Sequence, residues 1–193
     1  MQKILKTITL FTLLTLFIGC SSSRYNYVID PTPIVKGETK YAVRDVKVTI
    51  SQTNDLFVEK SVSEKYLSEE DMAKVFKEKT IQYLKKYNLF DSSESGYQLS
   101  ITLYYTRVFV AMSNTVTAPV LTYKWVIENN QKPVAKYSSP KLKINRGAGK
   151  GFDVFTKIGS SEINPQVEPL YLEVIAKSIV ESDIADVGIV KGK

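Results

Sequence analysis

The sequence predicts an α+β domain, a two-layer sandwich in which an antiparallel sheet of about four or five strands carries two amphipathic helices on one face. Three observations predict it. Residues 41–50, 97–106 and 121–127 alternate apolar and polar side chains with the period of 2 of half-buried strands. Residues 68–89 and 164–186 instead repeat apolar side chains at helical spacing. The order is strand, helix, three or four antiparallel strands, helix, and such elements bury their apolar sides by stacking helices on one sheet face.

In chain order, Tyr25, Tyr27, Val28 and Ile29 offer a short edge strand before the prolines at 31 and 33. In 41–50, Val46, Val48 and Ile50 share one face and Asp45, Lys47 and Thr49 the other. Residues 51–67 hold turn formers around Leu56, Phe57 and Val58. The first helix opens on Ser68 as N-cap, with Glu69, Glu70 and Asp71 at the positive end of its dipole. Its inward stripe reads Met72, Val75, Phe76, Tyr83, Leu84 and Tyr87, a core pattern rather than a cofactor box. Next, Leu99, Ile101, Leu103 and Tyr105 face inward until Arg107 lands on the apolar side, which predicts a bulge or strand end. Leu121, Tyr123, Trp125 and Ile127 form another face, residues 128–131 a turn, and residues 134–138 its hairpin partner. Residues 141–145 extend or add a strand, with Leu142 and Ile144 inward. The second helix starts at Asn164-Pro165, with Val167, Leu170, Tyr171, Val174, Ile175, Ser178 and Ile179 as its stripe.

Composition narrows the chemistry. The 193 residues contain no histidine, and Cys20 is the only cysteine. This removes the commonest general base and metal ligand, zinc sites built on Cys or His, and any Ser-His-Asp triad. Asp153 and Glu162 show no acid/base spacing, so no catalytic residue, cofactor or metal is expected and the chain reads as a non-enzyme. Arg146-Gly147-Ala148-Gly149-Lys150-Gly151 departs from a phosphate loop, because Lys150 is followed by Gly151 and no helix opens there. No nucleotide or nucleic-acid partner is expected.

The amino terminus has its own logic. Lys3 and Lys6 precede an uncharged apolar run, residues 7–19, too short for the ~20 residues of a membrane-spanning helix but suited to a secretory signal. Removing Lys3 and Lys6 with it leaves 24 basic against 20 acidic side chains. The end of the run, Phe17-Ile18-Gly19-Cys20, resembles the lipobox of bacterial lipoproteins, in which a small residue precedes a cysteine that is acylated, with palmitate among its chains, before cleavage. Gly19 and Cys20 match that pattern, Ile18 is tolerated, and Phe17 departs from the usual Leu. The resemblance implies a signal peptide over 1–19, lipid on Cys20, and, from Ser21, an outer-membrane address facing the periplasm. In a source with one membrane the anchor sits in the cell membrane. Residues 20–40 then read as a flexible tether, 41–187 as the domain and 188–193 as a frayed tail.

In layout, residues 20–187 also resemble small envelope lipoproteins, such as auxiliary lipoproteins of ABC-type lipid transport and those with a domain like the amino-terminal part of TolB. No residue role carries over. A basic strand region, Lys132, Lys136, Lys141, Lys143, Arg146 and Lys150, reads either as edge protection against sheet aggregation or as a contact for anionic headgroups and glycans. The function expected is a membrane-anchored binding or assembly module for an envelope complex. The alternative is a lipid or glycan carrier.

Overall fold

Six strands and two helices form within residues 24–53, 65–93, 96–109, 116, 119–143 and 167–190, the residues described by this computed structural model. They are β1 (Asn26–Tyr27), β2 (Tyr41–Thr53), α1 (Glu69–Lys86), β3 (Tyr97–Val108), β4 (Val120–Asn129), β5 (Lys132–Ser138), β6 (Leu142–Lys143) and α2 (Val167–Ile179), the last continued by a π turn, Val180–Ile184. The sheet runs β1-β5-β4-β3-β2, and β6 also pairs with β4. Both helices pack together, with α1 against β2, giving the two-layer α+β arrangement.

One pairing differs from the antiparallel sheet read from sequence. β2 and β3 run parallel over Tyr41–Thr53, so the sheet is mixed. The cause is α1, which lies between them and carries the chain back to the end where β2 began, so β3 starts beside it in the same direction. β3–β4, β4–β5 and β5–β1 are antiparallel.

Two bulges keep the apolar side chains inward. Val43 pairs with Leu99 and Val46 with Ile101, so β2 carries one extra residue and both valines keep the core side. On β5 the register shifts opposite Ile127 and Glu128, and Val134 and Ala135 are both buried. The β4–β5 turn places Asn130 (φ 49°) and Gln131 (φ 61°) in the left-handed region, the twist required of a two-residue hairpin loop.

Ser68 caps α1 by accepting from the Asp71 amide at 3.1 Å. The helix closes through Asn88 (φ 57°), where the Leu89 amide donates to Leu84 O at 2.8 Å and Leu89 itself is buried. Met72, Phe76, Thr80 and Leu84 are its buried line, with Val75, Tyr83 and Tyr87 packed at the margin. Buried Thr80 satisfies its hydroxyl by donating to Phe76 O at 2.8 Å.

On α2 the buried line is Val167, Glu168, Tyr171, Leu172, Ile175, Ala176 and Ile179, rotated from the sequence-based stripe, which had Leu170, Val174 and Ser178 inward. Glu168 is drawn inside by an ion pair described below, and the outward side meets α1 through Lys79–Glu173 at 2.7 Å. Leu142, expected inward, is 38% exposed although its backbone pairs with Leu121.

The expectation of a flexible tether to residue 40 fails from Arg24 onward. Tyr25, Thr32 and Ile34 are buried, and β1 adds to the sheet edge. The described part of the expected frayed tail, residues 188–190, is tied down at Ile189. Val187 is buried, and Ile189 bridges Val35 through an amide that donates to Ile34 O at 3.0 Å. Gly188 (φ 110°) permits this approach, because a Cβ there would lie 2.6 Å from Ile34 O.

Candidate functional site: the open face of the sheet

Alternation along the strands assigns each side chain to one of two faces. Leu99, Ile101, Leu103, Tyr105 and Arg107 of β3 and Leu121, Tyr123, Trp125 and Ile127 of β4 fill the face under the helices. Arg107 is tolerated there because its guanidinium meets a buried carboxylate and a backbone carbonyl. Its Nε donates to Glu168 Oε1 at 2.7 Å and its Nη2 to Oε2 at 3.0 Å. Nη2 also donates to Leu67 O, while the Leu67 amide donates to Glu168 Oε2 at 3.0 Å. This fork ties the first turn of α2 to the end of β3 and to the residues leading into α1. Strand β3 ends at Val108, as the intruding arginine predicted. Tyr105 lies beside the pair with its hydroxyl unpartnered among the described residues, and burial holds that hydroxyl well above its ordinary pKa.

A second polar group closes the other end. Asp183, 2% exposed on the π turn, accepts from Tyr123 Oη at 2.5 Å, and Arg24 Nη2 lies 3.4 Å from its Oδ1. Tyr25 Oη donates to Asp183 O at 3.1 Å. Burial raises the Asp183 carboxyl above the usual aspartate range despite these partners, and raises Tyr25 to about 12. The buried Trp125 Nε1 nearby has no hydrogen-bond partner among the described residues. Lys36 and Arg24 both reach Asp186, whose carboxyl is held low chiefly by its bond to Lys36. Tyr25, Trp125 and Tyr137 pack here with ring centroids 5.6–5.8 Å apart.

The opposite face carries no described helix. Register sets its side chains in rows: Lys47–Thr102–Lys124–Ser138, then Thr49–Tyr104–Thr122, then Ser51–Thr106–Val120. Lys136 lies one row away, opposite Val126 and Asn26. Strands are ~4.8 Å apart, so Lys47 and Lys124 stand about 10 Å apart with a threonine between them. Lys47, Lys124 and Lys136 form no ion pair with a described residue. The Lys124 ammonium lies 5.7 Å from the centre of the Tyr104 ring, which is itself 41% exposed. Ser51 and Thr106 share a hydrogen bond of 2.8 Å, and Arg44 pairs with Asp45 and Glu128 at the rim. The surface is hydroxyl-lined, cationic and anchored by one aromatic ring.

The sequence-predicted basic region divides. Lys136 belongs to this face, whereas Lys132 pairs with Asn129 and the intervening bulge sets it out of phase with Lys136. Lys141 is exposed beyond β5, and the Lys143 backbone pairs with Val120. Cys20, Arg146 and Lys150 lie outside the described residues, as do the glycine-rich connection and the Asn164-Pro165 helix start. Lys47 and Lys124 were missed from sequence. Their outward positions were readable from alternation, but their adjacency depends on the parallel β2–β3 register. Among the described residues no three acidic or cysteine side chains gather as metal ligands. An open groove of about 760 Å³ lies at the β2 edge, lined by Val43, Arg44, Lys77, Ile81 and Phe90 among others. No family model matches the sequence, and neither the curated proteins nor the solved structures contain a match to it.

Proposed function

We propose that this chain is a lipid-anchored, non-catalytic binding or assembly module for a complex of the bacterial envelope, held by acylated Cys20 on the periplasmic side of the outer membrane. Its partner meets the open sheet face around Lys47, Thr102, Tyr104, Lys124 and Lys136. The observation that carries this reading is the contrast between faces. The helix side is filled by Trp125, Tyr105, Phe76 and Tyr171, each at most 1% exposed. The other side offers three lysines without ion pairs to described residues beside an exposed tyrosine. Such a surface suits an acidic protein partner, with charge setting the encounter and Tyr104 supplying an aromatic anchor.

The alternative, a lipid or glycan carrier, rests on the groove at the β2 edge, where Ile81 and Phe90 adjoin Arg44 and Lys77. A pull-down from detergent-solubilised membranes separates the two. With Lys47→Glu and Lys124→Glu together, the module reading expects partner capture to fall about tenfold or more and to weaken with salt in the unaltered protein. Unchanged capture in the double variant, with loss on Ile81→Asp, transfers the role to the groove.

A further inference from the structure

The first described residues and the last ones meet at one end of the fold. Tyr27 Oη accepts from the Gly188 amide at 2.9 Å, and the Lys36 amide donates to Ile189 O at 3.0 Å. Arg24 is fixed there too, donating to Ser182 O and Asp186. Only four residue steps separate Arg24 from Cys20, so even a fully extended link reaches at most ~14 Å. A lipid on Cys20 therefore holds this end, not merely the molecule, close to the bilayer.

Exposed apolar side chains flank the Tyr27–Gly188 contact in sequence, Val28 and Ile29 following the tyrosine and Ile189 and Val190 following the glycine. The described residues include six exposed large apolar side chains, and four of them are Val28, Ile29, Ile189 and Val190, the last 77% exposed. The other two, Tyr104 and Leu142, lie elsewhere on the sheet. The cations here are already engaged, Lys36 with Asp186 and Arg24 with Asp183 and Asp186. What remains for an occupant is apolar contact rather than net charge. We infer that the end bearing Val28, Ile29, Ile189 and Val190 is a membrane-docking surface, whose side chains enter the headgroup–acyl boundary and orient the domain with its open sheet face free to the side. The inference rests on the anchor reading and deepens it. A bilayer is the occupant because the chain leads to it within that short reach.

The test uses the single cysteine. On the anchor reading the mature chain begins at Cys20, and that chain is the one used. Its Cys20 thiol is coupled to a maleimide-bearing lipid in phosphatidylcholine vesicles, and hydroxyl-radical footprinting compares coupled with free protein. Oxidation of Val28, Ile29, Ile189 and Val190 is expected to fall about threefold or more at low and high salt alike, while Tyr104 and Leu142 stay unchanged. The exposed double variant Val28→Asp, Val190→Asp should lose the protection at Ile29 and Ile189. Equal oxidation before and after coupling, or protection centred on Tyr104, overturns the inference. The mass of the native product reports on the anchor separately. An acylated Cys20 with an unprotected end leaves the anchor standing and removes the docking surface, whereas a native product without acyl chains removes both.

Discussion

Glu168 and Asp183 are both buried carboxylates on the carboxy-terminal helical segment, yet they are held in different ways. Glu168 is 0% exposed and meets a guanidinium that is itself buried, in a two-pronged bond that also engages the Leu67 backbone. Asp183 faces a neutral hydroxyl at 2.5 Å, and its cation, Arg24, has a side chain 46% exposed and stands 3.4 Å away. Burial therefore dominates at Asp183 and lifts its pKa. The lesson is that a buried charge is secured by the burial and geometry of its partner, not by the partner's presence alone.

The largest effect should come from breaking the closed pair. Glu168→Ala leaves Arg107 buried without a counter-charge and should cost about 3–5 kcal/mol in denaturant unfolding. Replacing both, Arg107→Met with Glu168→Leu, should restore most of that loss, because the desolvation of two charges disappears with them. A double variant as unstable as the single one would mean that the pair does more than compensate itself.

Asp183→Ala should cost less, about 1–3 kcal/mol, chiefly by leaving the buried Tyr123 hydroxyl without an acceptor. Asp183→Asn keeps an acceptor and removes the charge, so its sign depends on pH. With a raised folded pKa, the stability contributed by Asp183 is present below the ordinary aspartate value, ~3.9, and is lost as pH rises through the raised one. Stability of Asp183→Asn relative to the parent should therefore climb over that window and level off above it. Glu173 and Asp186, held low mainly by hydrogen bonds from Lys79 and Lys36, act with the opposite sign, but they are common to both proteins and cancel in the difference. A flat difference curve would show that Arg24 pairs as well as Arg107 does.

Arg24→Ala should cost under about 1 kcal/mol, in keeping with its solvent exposure, and so mark the contrast with Arg107 directly. Smallest of all is Lys124→Glu on the open face, expected within about 0.5 kcal/mol of the parent in thermal unfolding while still weakening partner capture.

Much of the core was legible because alternation alone assigns faces. The inward sets Leu99–Tyr105 and Leu121–Ile127, the Ser68 cap and the turn at Asn130 all follow from local pattern and backbone chemistry. Strand direction was not legible, since a half-buried strand reads alike whether its neighbour is parallel or antiparallel. Arg107 announced itself as an intruder on an apolar face, but its partner Glu168 stands in the first turn of α2, where an acid needs no reason beyond the helix dipole. Their meeting joins residues far apart in sequence, which no local period encodes. Residues 24–40 looked like linker because prolines and a glycine interrupt any repeat. Their anchoring comes instead from single side chains, Tyr25 and Ile34, placed against the other end of the chain.

The anchor proposed at Cys20 decides where the domain sits and which end faces the bilayer. Mass spectrometry of the product isolated from its native membranes tests it most directly. The expected result is a chain that starts at Cys20, with acyl chains on its amine and sulfur and nothing retained from residues 1–19. A product that still begins with Met1, or one whose residue 20 reacts with a thiol reagent, contradicts it.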